Sequence, residues 1–521
     1  MAVGAGRSWT STLALGALLA LSCGRTAWDE SSEPDASNSA AGSATSGATG
    51  GDVAEVAGDA AAGGAQGLAG AGGGAGLSSN GGGAQEGPGI DLFEGSVSRI
   101  GVVGDREGNA LVQWDSDGGQ VRFARWNAAE KVWRYPAPLV LDLAFVVDTY
   151  GSGHPILIGD LVDSQTKART TVIRRFDLQS NEWGPAQPTQ IGGSFAYRFH
   201  VSMDGAGNVY TLWLADNRLS EDWTWWPVDA NAWAPLHNLE RASGIVGARQ
   251  AGAWIWQENA GFGVRAFDLV AGDWGAEHEL KPLAPGSASN IYYLAVGPSG
   301  EALAAALHHA PNELVMSAWR YDPLRAAWQP KETALQIATN EDPSTTDGAA
   351  LPITDFLHQN VVAVPRRVGT QFELHMNRWD PSTGNWSPLR EFAELTSTSA
   401  FEMTADDSGN LYGCAPPSGV FHYNSASGVW TAPVPDAGCD FAVSHSGAFA
   451  LGWDARGELT AYRHPGGDGE WRSAQGLPAG ALPENGSVPY AIAPLNEGRA
   501  IVVWQVRDKT GRRSVRAAFI E

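Results

Sequence analysis

The chain contains little cysteine and little charge for its length. Cysteine occurs at only three of 521 positions, and charged residues make up 17% of the chain, below the usual quarter. The charge is also one-sided, since 34 basic and 57 acidic residues give a net charge of −23. Binding to nucleic acid or to an anionic bilayer surface relies on clustered Lys and Arg. We therefore expect no nucleic-acid partner and no membrane docking by charge.

The three cysteines divide into one near the N-terminus and a candidate pair. Cys23 lies in the leader, whereas Cys414 and Cys439 have 24 residues between them in the body of the chain. In an oxidising compartment Cys414 and Cys439 could form a disulfide. Because spatial proximity cannot be read from sequence, two separate buried thiols remain the alternative.

Motifs for common catalytic and metal sites are missing. The sequence has no Gly-x-Ser-x-Gly nucleophile motif, no phosphate-binding loop and no zinc-protease motif. His308 and His309 look like a metal pair, but neighbouring strand residues point to opposite faces, which favours a surface histidine pair. Residues 115–119 start like a calcium loop yet lack the distant glutamate. We assign no catalytic residue, metal or cofactor, although an acid/base pair of scattered carboxylates remains open.

The leader MAVGAGRSWTSTLALGALLALSCG has the composition of an export signal. Arg7 supplies the positive charge, and the apolar stretch at 13–21 is far shorter than the roughly 20 residues that span a bilayer. This stretch ends at Ser22-Cys23, which resembles a bacterial lipoprotein signal, where a small residue precedes a cysteine that is lipidated. The resemblance implies a signal peptide at residues 1–22 and lipidation of Cys23. A plain secretory signal is the alternative.

The same resemblance implies an address in the bacterial cell envelope. Gly24 follows the cysteine where Asp would signal retention in the inner membrane, so the outer membrane is favoured. The body would then lie in the periplasm or at the cell surface. No later segment is long and apolar enough to span a bilayer, so we expect membrane contact through the N-terminal lipid only.

Residues 23–90 consist mostly of Ala, Gly and Ser and contain almost no large apolar side chain. Such a segment cannot bury enough surface to offset its backbone entropy, so we predict a disordered tether. A Gly-rich coil of this length has an r.m.s. reach of roughly 40–50 Å. The tether would therefore hold a folded body clear of a lipid surface.

The body carries a repeated pair of large side chains. An aromatic residue or histidine is followed seven positions later by Trp in eight places. The spacing between successive Trp averages about 48 residues, a period typical of propeller blades. The eight pairs are Trp126/Trp133, Phe176/Trp183, Trp226/Trp233, Phe267/Trp274, Tyr321/Trp328, Trp379/Trp386, Tyr423/Trp430 and His464/Trp471.

A turn signal precedes most pairs and divides each unit into four short strands. Asp-x-x-Gly-Asn occurs at 105–109, 204–208 and 406–410, where Asp can bond its own backbone and Gly supplies a positive φ. Four short strands with turn signals predict an antiparallel meander, and tandem meanders predict a β-propeller. An open sheet of this size would leave exposed edges, and two jelly rolls would not explain the constant spacing.

We therefore predict an all-β fold, a β-propeller of eight to nine four-stranded antiparallel blades at residues 91–521. The count favours nine. The last unit lacks its fourth strand, and Phe519 occupies the place of the first aromatic partner. The spare segment at 89–95 could supply that missing strand and close the ring.

Single repeats resemble known propeller families. Residues 320–330 (RYDPLRAAWQP) and 377–389 (NRWDPSTGNWSPL) resemble the kelch hairpin, although the paired glycine of kelch repeats is missing. Residues 204–213 (DGAGNVYTLW) resemble the hairpin of NHL-type repeats. The resemblance covers the body at the level of the repeat, so it implies the fold and not the function.

Two segments depart from the repeat and are candidates for ligand binding. In EDWTWWPVDANAW, Trp223 and Trp225 are additional to the pair and lie on one strand face. They could form a stacking platform for a sugar or peptide, or they could fill the core between blades. The acidic, turn-rich insertion at 338–352 is the second candidate, because binding residues tend to lie on loops.

Together these features predict a lipid-anchored envelope propeller that acts as a non-catalytic binding or scaffold module. Its ligand would be an envelope or extracellular protein or glycan, and the body would be a monomer. An extracellular carbohydrate-active enzyme, hydrolase or lyase, with carboxylates at the propeller mouth is the first alternative. A structural envelope component is the second.

Overall fold

The computed structural model describes residues 89–521 with short gaps. The gaps fall at 117–118, 148–154, 164, 190–198, 215–220, 231, 240–241, 248–251, 259–261, 281–290, 298–299, 311–312, 339–350, 355–359, 369–370, 390–391, 396–401, 407, 416–418, 432, 435–436, 445–446, 454–457, 478–489, 497 and 508–509. The predicted signal peptide, Cys23 and the tether lie outside the described residues, as does most of the insertion at 338–352. Those predictions therefore stay predictions.

The described residues form strands and turns that assemble into nine small antiparallel sheets. The sheets are blades 1 to 9 of a β-propeller, which confirms the all-β prediction and the higher of the two blade counts. In blades 1 to 8 four strands follow each other in chain order across the sheet. In five blades a further strand of two to seven residues pairs with the third strand.

The strands of the first four blades follow the N-terminal strand β1 (Ile90–Glu94). Blade 1 contains β2 (Val97–Gly104), β3 (Ala110–Ser116), β4 (Gln120–Asn127), β5 (Val132–Arg134) and β6 (Leu139–Val140). Blade 2 contains β7 (Asp142–Val147), β8 (Ile156–Val162), β9 (Arg169–Asp177), β10 (Glu182–Trp183) and β11 (Gln187–Pro188). Blade 3 contains β12 (Phe199–Met203), β13 (Val209–Leu214), β14 (Glu221–Trp226) and β15 (His237–Leu239). Blade 4 contains β16 (Ala242–Gly247), β17 (Ala253–Glu258), β18 (Phe262–Asp268), β19 (Asp273–Trp274) and β20 (His278–Leu280).

The remaining blades continue in the same order. Blade 5 contains β21 (Ile291–Val296), β22 (Ala302–Ala310), β23 (Glu313–Asp322), β24 (Ala327–Trp328) and β25 (Glu332–Ala338). Blade 6 contains β26 (Leu351–Thr354), β27 (Asn360–Val368), β28 (Gln371–Asp380), β29 (Asn385–Pro388) and β30 (Phe392–Leu395). Blade 7 contains β31 (Glu402–Ala405), β32 (Leu411–Ala415), β33 (Gly419–Asn424) and β34 (Val429–Trp430). Blade 8 contains β35 (Ala437–Ser444), β36 (Gly447–Trp453), β37 (Leu459–His464) and β38 (Arg472–Ser473), and blade 9 contains β39 (Tyr490–Pro494), β40 (Ala500–Arg507) and β41 (Arg513–Ile520).

Blade 9 is completed by the N-terminal strand. β1 pairs antiparallel with β41, with Ile90 opposite Ala517 and Glu94 opposite Ser514. The spare segment at 89–95 therefore supplies the fourth strand, as predicted from the missing strand of the last unit. One buried cluster joins Leu92 to Trp114 of blade 1, so the closure is packed as well as hydrogen-bonded.

All eight predicted pairs are in ring contact across a hairpin. Trp379 and Trp386 lie opposite each other in β28 and β29, with ring centroids 5.8 Å apart. The other centroid distances range from 5.0 Å for Phe176/Trp183 to 5.6 Å for Trp126/Trp133. Such edge-to-face and tilted contacts are the favoured aromatic geometries, and the repeated pair is therefore a structural clamp.

The Asp-x-x-Gly-Asn turns fasten two hairpins to each other. Asp204 is fully buried and accepts hydrogen bonds from the backbone N–H and the side-chain amide of Asn208, both at 2.9 Å. The side-chain oxygen Oδ1 of Asn208 in turn accepts a hydrogen bond from the backbone N–H of Val228 at 2.9 Å. Because Val228 follows β14, this bond ties the first turn of blade 3 to the turn after its third strand. The same two-step arrangement recurs at 105–109 and 406–410.

These turns define two faces of the propeller. In an antiparallel meander the first and third turns lie at one end of the blade, and the second lies at the other. We call the end with the Asp-x-x-Gly-Asn turns and the turns between the aromatic partners the turn face. The opposite end, the loop face, carries the connections between second and third strands and the connections between blades.

Arginine side chains connect successive blades near the turn face. Arg175 of blade 2 donates to the carbonyl oxygens of Gly207 at 2.6 Å and Trp226 at 2.8 Å in blade 3. Its guanidinium carbon lies 4.3 Å from the centre of the Trp226 ring, a cation–π distance. Arg378 makes the equivalent bond from blade 6 to the Gly409 carbonyl of blade 7 at 2.7 Å.

Candidate functional site

Trp223 is a buried packing residue between blades 3 and 4. Its side chain is 1% exposed. It stacks on His237 with ring centroids 4.8 Å apart, and it meets Trp274 edge-on at 5.4 Å. Trp223 therefore fills the core between two blades, which was the alternative to a ligand platform. A ring enclosed on all sides offers no face to a ligand.

Trp225 is half-buried and has a different explanation. It directly precedes the repeat aromatic Trp226, and its ring lies 4.9 Å from that of Phe267 in blade 4. Arginine occupies the equivalent position, directly before the first partner of the pair, in five other blades. Trp225 therefore takes the place of the arginine that connects one blade to the next. The arginines are Arg125, Arg175, Arg320, Arg378 and Arg463.

Blade 7 also departs from the arginine pattern, because His422 stands at this position. Its ring centroid lies 3.8 Å from that of His464 in blade 8, and both side chains are fully buried. Both ring nitrogens of His422 and Nε2 of His464 have no hydrogen-bond partner among the described residues. Burial, followed by the charge of the other histidine, lowers the pKa of His422 to about 3. Burial also lowers the pKa of His464, to about 4, so the pair is neutral near pH 7.

The remaining predicted residues are placed as follows. Cys414 is buried in β32 and is disulfide-bonded. The side chain of Cys439, in β35, lies outside the described residues, so its pairing with Cys414 stays a prediction. His308 is buried in β22, opposite Val315, so the expected surface position is wrong for this residue. Within the described residues no group of three or more His, Cys, Asp or Glu is arranged to hold a metal ion.

A cleft of about 480 Å³ opens on the loop face where the ring closes. It is lined by residues 94–96, which connect β1 to β2, and by Arg507 and residues 511–513, which connect β40 to β41. Arg512 forms an ion pair with Glu94. Arg513 donates to the Ser96 hydroxyl at 2.7 Å. The lining contains three arginines and one glutamate, in a chain whose net charge is −23.

A second group of charged residues, both acidic and basic, lies on the loop face at the interface of blades 1 and 2. Arg99, three positions after Ser96 in the sequence, lies 3.5 Å from a carboxylate oxygen of Asp115. Arg169 lies 2.8 Å from Asp142 and 3.8 Å from the fully buried Asp160. The group therefore brings three carboxylates and two guanidinium groups to the ends of β2, β3 and β7 to β9.

The surroundings of Asp115 change the pKa of its carboxyl group. Burial raises its pKa, and the charge of Asp142 raises it further, while Arg99 and a hydrogen bond from Gln113 lower it. The Asp115 side chain remains 19% exposed. A partly accessible carboxyl with a raised pKa beside a second carboxyl is able to act as a general acid.

The cleft lined by Arg507, Arg512 and Arg513 was not predicted from the sequence. The signal is present in RDKTGRRSVR, a basic run at 507–516 in an acidic chain. The run gives no indication of a cleft until the pairing of β40 with β41 places Arg507 opposite Arg513. β1 pairs with β41 and leads into residues 94–96, which form the second wall of the cleft.

The described residues contain no helix long and apolar enough to cross a membrane.

Comparisons with known proteins show the likeness of fold only. The sequence matches no protein-family model and no curated protein. Similar solved structures include the Dos1 propeller, which is 9% identical, has a TM-score of 0.40, and is aligned over 74% of this chain and 96% of that chain. The SapL1 lectin in complex with alpha methyl fucoside is 13% identical with a TM-score of 0.29, over 65% of this chain and 98% of that chain. The polysaccharide lyase Uly1 is 9% identical with a TM-score of 0.35, over 70% and 88%. Scores this low support no conclusion about a ligand, and the kelch-like and NHL-like character of single repeats stays a prediction.

Proposed function

We propose that this chain is a lipid-anchored β-propeller of the bacterial cell envelope that acts as a non-catalytic binding module for a glycan or protein ligand. The observation that carries the proposal is the open arginine-lined cleft on the loop face. Its volume lies within the range of ordinary ligand sites, roughly 300–1,000 Å³. The turn face, in contrast, carries turns closed by their own hydrogen bonds.

The anchor rests on the leader and the segment that follows it. Ser22-Cys23 at the end of a short apolar stretch resembles a lipoprotein signal, and residues 23–90 have the composition of a flexible tether. Single repeats that resemble kelch and NHL hairpins agree with a binding or scaffold role, because such propellers present loops at the ends of their blades.

The anchor is tested by Cys23→Ala in the full chain expressed in a bacterium. Without the thiol no lipid can be attached, so the variant should leave the membrane fraction. Equal amounts of wild type and variant in the membrane pellet would overturn the lipid anchor. Ser31→Ala is the matched control, since it changes a nearby residue of the predicted tether, keeps Cys23, and should leave the partition unchanged.

The binding role is tested with a glycan array and an envelope-protein array, followed by a turnover assay on every ligand that binds. Binding without turnover is the expected result. No binding on either array would contradict the proposed function.

An extracellular carbohydrate-active enzyme is the second candidate. It is favoured by the raised pKa of Asp115 beside Asp142 on the loop face. If this candidate were correct, Asp115→Asn would abolish turnover of a bound glycan while changing its affinity little. Asp222→Asn, at a half-buried loop-face position of blade 3 hydrogen-bonded to Asn238, is the control and should leave turnover unchanged.

A further inference from the structure

Two turns of the turn face present large apolar side chains to solvent. Val270 of blade 4 is 99% exposed and Leu324 of blade 5 is 97% exposed, the two highest values among the large apolar side chains of the described residues. They lie between the aromatic partners of their blades, in the turns at 268–273 and 322–327. Leu269, directly before Val270, is also exposed. Side chains of this kind gain free energy when they leave water, so their position needs an explanation.

Neither turn needs an apolar residue for its own structure. Asp268 accepts hydrogen bonds from the backbone N–H groups of Val270 at 2.9 Å and Ala271 at 3.1 Å. Asp322 likewise accepts the backbone N–H of Leu324 at 3.0 Å. Because the aspartate and the backbone close each turn, a polar residue at the exposed position would serve the fold as well.

The equivalent position in the other blades carries a small or polar residue. It lies three positions after the first member of each repeated pair and holds, in blades 1, 2, 3, 6, 7 and 8, Ala129, Gln179, Asp229, Ser382, Ala426 and Gly467. Single exposed apolar residues are common on protein surfaces, but here two successive blades carry one at the same position of the repeat. We call Leu269, Val270 and Leu324 the apolar tips.

The N-terminal segment leaves the propeller on the same face. β1 is antiparallel to β41, with Glu94 opposite Ser514 near the loop face and Ile90 opposite Ala517 on the side of the turn face. The residues before Ile90, predicted to form a tether that carries a lipid, therefore start from the turn face. A bilayer that holds this lipid is a surface that the turn face can meet without the tether passing round the propeller. The tether also keeps the two close, so that even a weak contact is often formed.

The chemistry of the apolar tips fits the interface of a zwitterionic bilayer. An aliphatic side chain at such a tip can enter the boundary between headgroups and acyl chains, as the apolar face of an interfacial helix does. The same two turns contain the carboxylates of Asp268, Asp273 and Asp322, and Arg325, which lies 3.5 Å from Asp322. Anionic lipid would repel three carboxylates more than it attracts one arginine, so zwitterionic lipid is the better partner.

We infer that the apolar tips insert into the interface of the bilayer that holds the N-terminal lipid, so that the turn face lies against the membrane and the loop face points away from it. The inference rests on the lipid anchor of the proposed function. It adds a second contact where the sequence predicted contact through the lipid only. In this orientation the cleft at the ring closure stays accessible to a ligand.

The test is hydroxyl-radical oxidation, read by mass spectrometry, of the full lipidated chain on vesicles of phosphatidylcholine and phosphatidylethanolamine. The Cys23→Ala variant in solution is the reference. Val140, an exposed residue at the loop-face end of blade 1, normalises the rates. Relative to Val140, oxidation of the apolar tips should be about threefold slower on the vesicles. Adding phosphatidylglycerol to the vesicles should reduce this protection.

Two variants separate insertion from folding. The Val270→Ser, Leu324→Ser double variant should stay with the vesicles through its lipid and should keep its melting temperature, because the replaced side chains are almost fully exposed. Its turns at 268–273 and 322–327 should lose most of their protection. Val140→Ser, with Leu161 and Val162 of the loop face as the rate reference, is the matched control and should leave the protection of both turns unchanged.

Three results would overturn the inference. Equal oxidation of the apolar tips on vesicles and in solution would show that the anchored propeller does not lie on its turn face. Protection in solution that grows with protein concentration would assign the tips to a second copy of the chain, and protection that requires an added protein ligand would assign them to that ligand. In each case the anchor stands if the wild type floats with the vesicles and Cys23→Ala does not. If the wild type does not float, the anchor and the inference both fail.

Discussion

The two faces of the propeller are built by different rules. On the turn face a repeated pair of residues closes the first turn of three blades: Asp204 and Asn208 in blade 3 have counterparts in blades 1 and 7. On the loop face the residues differ from blade to blade, and the cleft at the ring closure is lined by residues 94–96, Arg507 and residues 511–513. The repeated residues of the turn face stabilise the fold. The residues of the loop face are not needed for a repeated turn, so they can differ between blades and bind a ligand. Substitutions on the two faces should therefore separate stability from binding.

The largest expected effect is on the aromatic frame. Trp126→Ala should lower the free energy of unfolding by about 3–5 kcal/mol, the usual cost of removing a buried Trp. Trp126 is 2% exposed and contacts Trp133 at 5.6 Å and Phe519 of blade 9 at 4.9 Å. Denaturant unfolding of both proteins measures the effect. Trp386→Ala should cost less, because Trp386 is only partly buried. An equal cost for both would mean that burial does not set the contribution of each pair.

Acid should weaken the frame at the interface of blades 7 and 8. His422 and His464 have lowered pKa values in the folded chain, whereas the unfolded chain protonates histidine near pH 6.5. Their stabilisation is therefore complete above pH 6.5 and is lost as pH falls towards 4 to 3. Each histidine should account for about 2 kcal/mol of lost stability at pH 5.

Unfolding curves between pH 7.5 and 4.5 measure this loss. His464→Phe gives blade 8 the aromatic residue that blades 2 and 4 carry at the same position, Phe176 and Phe267. The variant should lose about half as much stability between pH 7 and pH 5 as the wild type. A variant with an unchanged pH dependence would show that other groups titrate in this range.

The buried turn carboxylate should have the next largest effect. Asp204 accepts hydrogen bonds from Asn208, from the Tyr210 hydroxyl at 2.9 Å and from the Gly252 N–H at 2.7 Å. Asp204→Asn turns an acceptor into a donor among these groups and should cost about 2–3 kcal/mol. Asp105→Asn is the matched control in blade 1, where the turn bonds come from Asn109, and should cost less. A larger loss at Asp105 would contradict the role given to Tyr210 and Gly252.

A smaller effect is expected for the link between blades 2 and 3. Arg175→Lys keeps the charge but loses the forked geometry that reaches both Gly207 and Trp226. We expect a loss of about 1–2 kcal/mol in thermal or denaturant unfolding. Arg134→Lys, at an exposed position near the turn face, should change stability by less than about 0.5 kcal/mol. If the two substitutions cost the same, the inter-blade bonds of Arg175 contribute nothing measurable.

Much of the frame could be predicted from the sequence because its signals are local and repeated. The seven-residue spacing of the pairs, the Asp-x-x-Gly-Asn turns and the spare segment at 89–95 each predicted a feature that the structure contains. Repetition also distinguished a clamp from a binding site at Trp379 and Trp386. A single copy would have left that choice open.

The unpredicted features depend on contacts between distant parts of the chain. Trp225 was considered as a ligand platform because the sequence does not show that the residue directly before the aromatic partner reaches the next blade, as Arg175 does. The cleft likewise requires the N-terminal residues 94–96 to meet Arg507 and Arg513, more than 400 positions later in the sequence. The spare segment predicted the pairing of β1 with the last blade, but the register of β40 with β41, which places Arg507 opposite Arg513, is not encoded in a local pattern.

Hydrogen exchange of the full chain with and without a bound ligand tests the division between the two faces most directly. With a ligand identified on the glycan or envelope-protein array bound, added protection should concentrate in peptides covering 94–96 and 510–513 on the loop face. Peptides covering the turns at 204–208 and 380–384 should be unchanged. Protection confined to those turns, with none at the ring closure, would contradict the assignment of recognition to the loop face.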